Sequence, residues 1–235
     1  MNRLNKIKKF LEGNYNFKII KYKYFPKSNL ELRKLVTRLI NKYGNNVDLN
    51  NIDVSNINTF KEVFYMKSNF EGDVSEWDVS NGKLFNNMFA FCSKFNSNIF
   101  NWDVSNAENF YRAFEYCYIF NPNLVEWNVF NVKSFESIFD GCYSFNSNLS
   151  KWNVSNCENF SKMFKDCSVF NSDLSQWDVS NGINFNWMFA GCKSFDADLS
   201  GWNTNRARYW IDLAKNSLLE KYSERIPALF KVEFT

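Results

Sequence analysis

Five cysteines, Cys92, Cys117, Cys142, Cys167 and Cys192, recur at intervals of 25 residues, with Cys157 outside their column. Thiols held in register by such a repeat could pair as disulfides or bind a soft metal. Their spacing fits none of the zinc patterns, and the chain has no histidine to complete a mixed site. A buried unpaired cysteine behaves as a small hydrophobe. The column is read that way, and neither metal nor cofactor is expected. The lack of histidine also removes the usual general base and the Ser/His and Cys/His nucleophile pairs. The expectation is a protein that is not an enzyme.

Three other groups of residues could make contacts. The first is a polar column beside the repeated tryptophan, in which Asp78, Asp103 and Asp178 alternate with asparagines. As an acidic stripe it could attract a basic partner or imitate a phosphate backbone. As a row of short polar residues it keeps an exposed face soluble. The second is a set of breaks toward apolarity. Phe100 and Val125 stand where Ser75, Ser150, Ser175 and Ser200 occur in other copies, and Phe130 stands where Ser80, Ser105 and Ser155 occur. Exposed apolar groups clustered within a polar surface mark contact sites. Tyr111, Tyr116, Tyr118 and Tyr143 belong to the same copies.

The third group is basic. Lys6, Lys8, Lys9, Lys18, Lys21 and Lys23 interleave with Tyr22 and Tyr24. Such a stretch could hold single-stranded nucleic acid through phosphates and stacking, or lie on an anionic membrane. Alternatively its aromatics cover the first repeat while its lysines stay in water. The net charge of +3 conceals this asymmetry. Residues 1–43 carry 12 basic residues against Glu12 and Glu31, and residues 44–235 carry 16 basic against 23 acidic. The chain is a basic head on an acidic body.

What positions these groups is the repeat. Trp77, Trp102, Trp127, Trp152, Trp177 and Trp202 fall 25 residues apart without an insertion, and Ile52 holds the place one unit earlier. Trp177 and Val179 alternate with Asp178 and Ser180, which predicts a short strand with one buried face. Phe185, Met188 and Phe189 stand at i, i+3 and i+4, which predicts a short helical turn. No single unit can bury its aromatic face alone, so copies must stack into an α/β repeat solenoid. Columns such as Asn81, Asn106, Asn131, Asn156 and Asn181 then become hydrogen-bonded ladders.

A stack needs caps. Ser28 with Glu31 forms a capping box and Gly44 follows the last turn, which predicts a helix over about 29–43. The stretch RYWIDLAKNSLLEKYSERI predicts a terminal helix over the last coil. The division is a basic capping region at 1–50, six to seven coils at 51–205 and a C-terminal cap at 206–235.

The stretch MFKDCSVFNSDLSQWDVSN resembles the BspA-like leucine-rich repeats, in the W-D-V-S-N variant of bacterial and Mycoplasma-type surface proteins, over roughly residues 26–205. The resemblance implies a right-handed leucine-rich-repeat-like solenoid with one strand per coil on the concave face. It places the columns of Phe100, Val125 and Phe130 on that face, and implies binding or adhesion rather than catalysis. The N-terminus departs from the family pattern: it has no apolar run of signal or membrane length, so a cytoplasmic location is expected. The leading expectation is recognition of a protein partner through the concave face. The alternatives are an inhibitor that covers an enzyme, such as a phage-type anti-CRISPR blocker of a defence nuclease, and nucleic-acid binding through the head.

Overall fold

The computed structural model describes residues 22–234. Its repeats lie one on the next. Parallel bridges link Thr59 to Leu84, Leu84 to Asn109, and onward through Ser134, Asn159 and Asn184 to Tyr209. Beyond each bridge, alternate N–H groups donate along the stack. Phe85, Asn87, Phe89 and Phe91 donate to the carbonyls of Asn109, Tyr111, Ala113 and Glu115 at 2.7–2.9 Å. The N–H groups between them, of Met88, Ala90 and Cys92, close turns onto Phe85, Asn87 and Phe89.

This alternation replaces the helical turn that the i, i+3, i+4 pattern predicts. In a helix every N–H points along its own axis. Here Phe185, Trp187, Phe189 and Gly191 must point theirs at the carbonyls of Tyr209, Ile211, Leu213 and Lys215. The chain manages this with type II-like turns, whose third residue needs a positive φ. Asn87 (54°), Phe91 (63°), Arg112 (53°) and Tyr116 (56°) all adopt it, as do their counterparts in other coils. Left-handed backbone costs a non-glycine residue about 1–2 kcal/mol, which the inter-coil hydrogen bonds offset.

The predicted strand at the tryptophan is also displaced. Trp177–Ser180 carries no bridge, because tight turns and side chains take up its backbone groups: the Trp177 N–H closes onto the Leu174 carbonyl, and the Val179 carbonyl accepts from the Gly182 N–H. The Asp178 carboxylate accepts from the N–H of Ser180 at 3.0 Å, a local bond that competes with a ladder. Side chains join the coils on this side. The Trp177 indole N–H donates to the Leu149 carbonyl at 3.0 Å, and the Asn181 amide donates to the Ser155 carbonyl at 2.7 Å. The backbone ladder therefore lies on the segments equivalent to 84–91.

Phenylalanines fill the interior. Phe64, Phe89, Phe114, Phe139, Phe164 and Phe189 form one file with centroids 4.8–6.0 Å apart. Phe70, Phe95, Phe120, Phe145, Phe170 and Phe195 form a second at 5.6–6.2 Å. Offset stacking at such distances adds about 0.5–1.5 kcal/mol per pair to the gain from burial.

The helix α1, Asn29–Tyr43, covers the first coil with Leu32, Val36, Leu39 and Ile40 buried. The Ser28 hydroxyl accepts from the Glu31 N–H, and the Gly44 N–H closes onto Ile40. The carbonyls of Thr59 and Lys61 would have met a preceding coil. Instead they accept from the side-chain amide of Asn29 at 3.0 and 3.1 Å.

At the other end the terminal α-helix gives way to a continued ladder. The carbonyls of Tyr209 through Lys215 must face the donors of the coil before them, which a helix forbids. The ladder thus runs past residue 205. Short 3-10 helices, Leu219–Lys221, Ser223–Arg225 and Ala228–Phe234, follow it. Phe230 closes the core against Phe185 and Trp210 at 5.2 and 5.5 Å.

Candidate interaction surface

The cysteine column is interior. Each thiol donates to a phenylalanine carbonyl 28 residues back, as Cys142 does to Phe114 at 3.0 Å. Burial pushes the Cys92 and Cys157 thiols up to about 12 and the rest of the column well above the ordinary range. All six are unpaired and buried. A thiol in that state supplies neither a nucleophile nor a metal ligand, and the described residues contain no cluster of His, Cys, Asp or Glu able to hold a metal.

Asp78, Asp103 and Asp178 are exposed, and each accepts the N–H of the serine two residues on, at 3.0–3.1 Å. The Ser180 hydroxyl and N–H hold the Asp178 carboxyl below its ordinary range. The column therefore shapes a turn while presenting charge to solvent.

Phe100 and Phe130 are 36% and 44% exposed, while Val125 is half-buried. Their N–H groups keep the turn bond that serine makes elsewhere, to the side-chain oxygens of Asn98, Asn128 and Asn123. Replacing serine therefore adds apolar surface without altering the backbone. Phe100 and Val125 share a column on consecutive coils, but neither Phe100 nor Phe130 stacks on another ring among the described residues.

Within the basic head, Lys6, Lys8, Lys9, Lys18 and Lys21 lie outside the described residues. Tyr24 forms a parallel bridge with Ile52, and the Lys23 ammonium sits 5.6 Å over the Tyr24 ring. Tyr22 is half-buried beside them.

A continuous group of five rings lies on the ladder flank. Tyr65 meets Phe91 edge-on at 5.9 Å, and Phe91 stacks on Tyr116 at 5.2 Å. Tyr116 meets Tyr118 edge-on at 6.3 Å, and Tyr118 stacks on Tyr143 at 5.1 Å. Tyr65, Tyr118 and Tyr143 are exposed, and so are Met66, Ile119 and Val169 on the same flank. Tyr116 can lie down because position 141 is glycine: a Cβ there would run into its ring.

Beneath Tyr116 two acids are buried on consecutive coils, Glu115 at 5% and Asp140 at 4% exposure. Burial raises both carboxyls, Asp140 to about 6, against the opposing pull of Arg112 on Glu115 and of Lys165 on Asp140. The nearest cations stand off, Arg112 at 3.6 Å from Glu115 and Lys165 at 3.6 Å from Asp140. Glu115 Oε2 and Asp140 Oδ1 have no hydrogen-bond partner. Beside them a recess of about 770 Å³ opens between Tyr143, Lys165, Trp187 and Gly191.

Sequence reasoning named Tyr116, Tyr118 and Tyr143 but not Tyr65 or Phe91, and it missed the acids. The signal was present in the column of Ala90, Glu115, Asp140, Lys165 and Ala190, where the repeat changes from small to charged in its middle coils.

The comparisons with known proteins concern the whole array. Residues 34–143 and 120–218 each match a family described as Mycoplasma protein of unknown function, DUF285. No curated protein and no solved structure shows significant similarity to the chain.

Proposed function

The chain belongs to the DUF285 family, and we propose that it is a non-enzymatic recognition protein whose repeat stack binds a protein partner. We assign it a leucine-rich-repeat-like solenoid of the BspA-like kind. The 25-residue register of its bridges and its unbroken phenylalanine files support that assignment.

One observation carries the functional reading. Five rings, Tyr65, Phe91, Tyr116, Tyr118 and Tyr143, form a continuous strip across four coils, with Tyr65, Tyr118 and Tyr143 exposed and Phe91 and Tyr116 half-buried between them. Tyrosines set in a polar rim supply large contact area at low conformational cost. The strip is favoured over Phe100, Val125 and Phe130, which add apolar surface as separate side chains. Catalysis finds no support in the buried thiols.

The test is affinity capture with tagged protein, comparing native chain, Tyr118→Ser/Tyr143→Ser and Phe100→Ser/Phe130→Ser. A stoichiometric protein that survives nuclease treatment and is lost with the tyrosine pair supports the flank. Loss with the phenylalanine pair alone moves recognition to the tryptophan side, and recovery of nucleic acid only refutes protein recognition.

A further inference from the structure

The outward face of α1 is not used by the stack. Leu32, Val36, Leu39 and Ile40 point inward, while Lys34, Arg38 and Lys42 follow one another at i, i+4 and i+8 on the solvent side. Arg33 is paired with Glu62 at 2.8 Å, but Lys34, Arg38 and Lys42 form no ion pair among the described residues. Like charges at this spacing destabilise a helix. An external anion would relieve that repulsion.

Apolar side chains flank the same cations. Lys34 and Arg38 line one recess with Leu30 and a second with Phe25. Phe25 is 60% exposed and Leu30 is 58% exposed. Basic side chains set between exposed apolar tips are the composition of an interfacial anchor. Stacked nucleic-acid bases would need free ring faces, and two of the neighbouring rings already carry a cation. Lys23 covers Tyr24 at 5.6 Å, and Lys42 covers Tyr43 at 5.0 Å.

The charge distribution gives the direction of approach. Among the described residues, 22–43 hold six basic residues, Lys23, Lys27, Arg33, Lys34, Arg38 and Lys42, against Glu31 alone, and the residues beyond 43 are acidic on balance, 16 against 23. A negative plane attracts the α1 end and repels the coils. We propose that the α1 end docks on an anionic lipid surface, with Lys34, Arg38 and Lys42 among headgroup phosphates and Phe25 and Leu30 entering the interface. The stack then stands away from the bilayer with its flanks free.

Co-sedimentation of the full chain with phosphatidylcholine vesicles, with and without phosphatidylglycerol, tests this. Binding is expected only to the anionic vesicles and weakens with salt. Lys34→Ser/Arg38→Ser binds about thirtyfold more weakly, at about 1 kcal/mol for each basic residue near the surface. Phe25→Ser/Leu30→Ser lowers affinity while keeping the salt dependence, and Tyr118→Ser/Tyr143→Ser leaves it unchanged. All positions changed in the first two variants are exposed, so unaltered thermal unfolding shows that the fold is intact. Equal binding by native chain and Lys34→Ser/Arg38→Ser overturns the proposal, as does an absence of vesicle binding. Binding of a single-stranded oligonucleotide without vesicle binding overturns it in favour of nucleic acid.

Discussion

The ring of Tyr116 lies over the backbone of Gly141 on the next coil, in the space where any other residue at 141 would place its Cβ. The aromatic strip depends on that one missing side chain. Gly141 also has φ of 73°, unfavourable for a side chain.

Gly141→Ala is therefore expected to destabilise the protein by about 1–3 kcal/mol and to lift Tyr116 off the flank. Denaturant unfolding measures the first effect. In a Tyr116→Ala background the clash is absent and a smaller loss remains, due to φ alone. Equal losses in the two backgrounds would show that the ring does not occupy this space.

Asp140 makes stability depend on pH in an unusual direction. Burial pushes its carboxyl up to about 6 from the ordinary 3.8, with Lys165 opposing and Asp166 reinforcing the rise, and Glu115 above it is raised as well. A carboxyl that holds its proton more tightly when folded contributes fully below about pH 4, and that contribution is lost as pH rises through about 6. The loss is on the order of 2–3 kcal/mol. Asp140→Asn should raise stability at pH 7 and flatten the slope between about pH 4 and 6, leaving the smaller part due to Glu115. Thermal melts across that range check it, and an unchanged slope would contradict it.

The 25-residue register of the bridges was legible in the sequence because the repeat is strict. Ser28, Glu31 and Gly44 marked the ends of α1, since capping is a local signal. The columns of Trp, Phe and Cys identified what is buried, which follows from side-chain chemistry. The backbone path was less legible. Phe185, Met188 and Phe189 have helical spacing, yet the partners of their N–H groups lie 24 or more residues away in the ladder or three residues back in a turn. Local periodicity does not separate those cases from a helix. Nor do residue types reveal the left-handed positions, occupied by Glu62, Arg112, Lys162 and Trp187 rather than glycine. At the surface, Tyr65 and Phe91 escaped notice because they occupy different columns and meet only once the coils stack.

Asn29 acts in place of a preceding coil, donating to the carbonyls of both Thr59 and Lys61. Asn29→Ala leaves both without that donor, at an expected cost of about 1 kcal/mol in a partly solvated site. Hydrogen exchange should show faster opening of α1 and the first coil, with the coils near Trp177 unchanged. Uniform acceleration along the chain would mean that Asn29 is no local cap.

The cysteines should be silent. With every thiol buried and raised, a thiol-directed reagent at neutral pH modifies none of the six in the folded protein and all six after unfolding. Rapid modification of one in the native state would place it outside the core.

The most direct measurement is photo-crosslinking from single positions in the source cell, with a benzophenone amino acid at 118 or at 100. Recognition through the aromatic flank predicts one discrete protein adduct from position 118, lost when Tyr143→Ser is added, and none from position 100. An adduct from position 100 alone, or none from either, would contradict it.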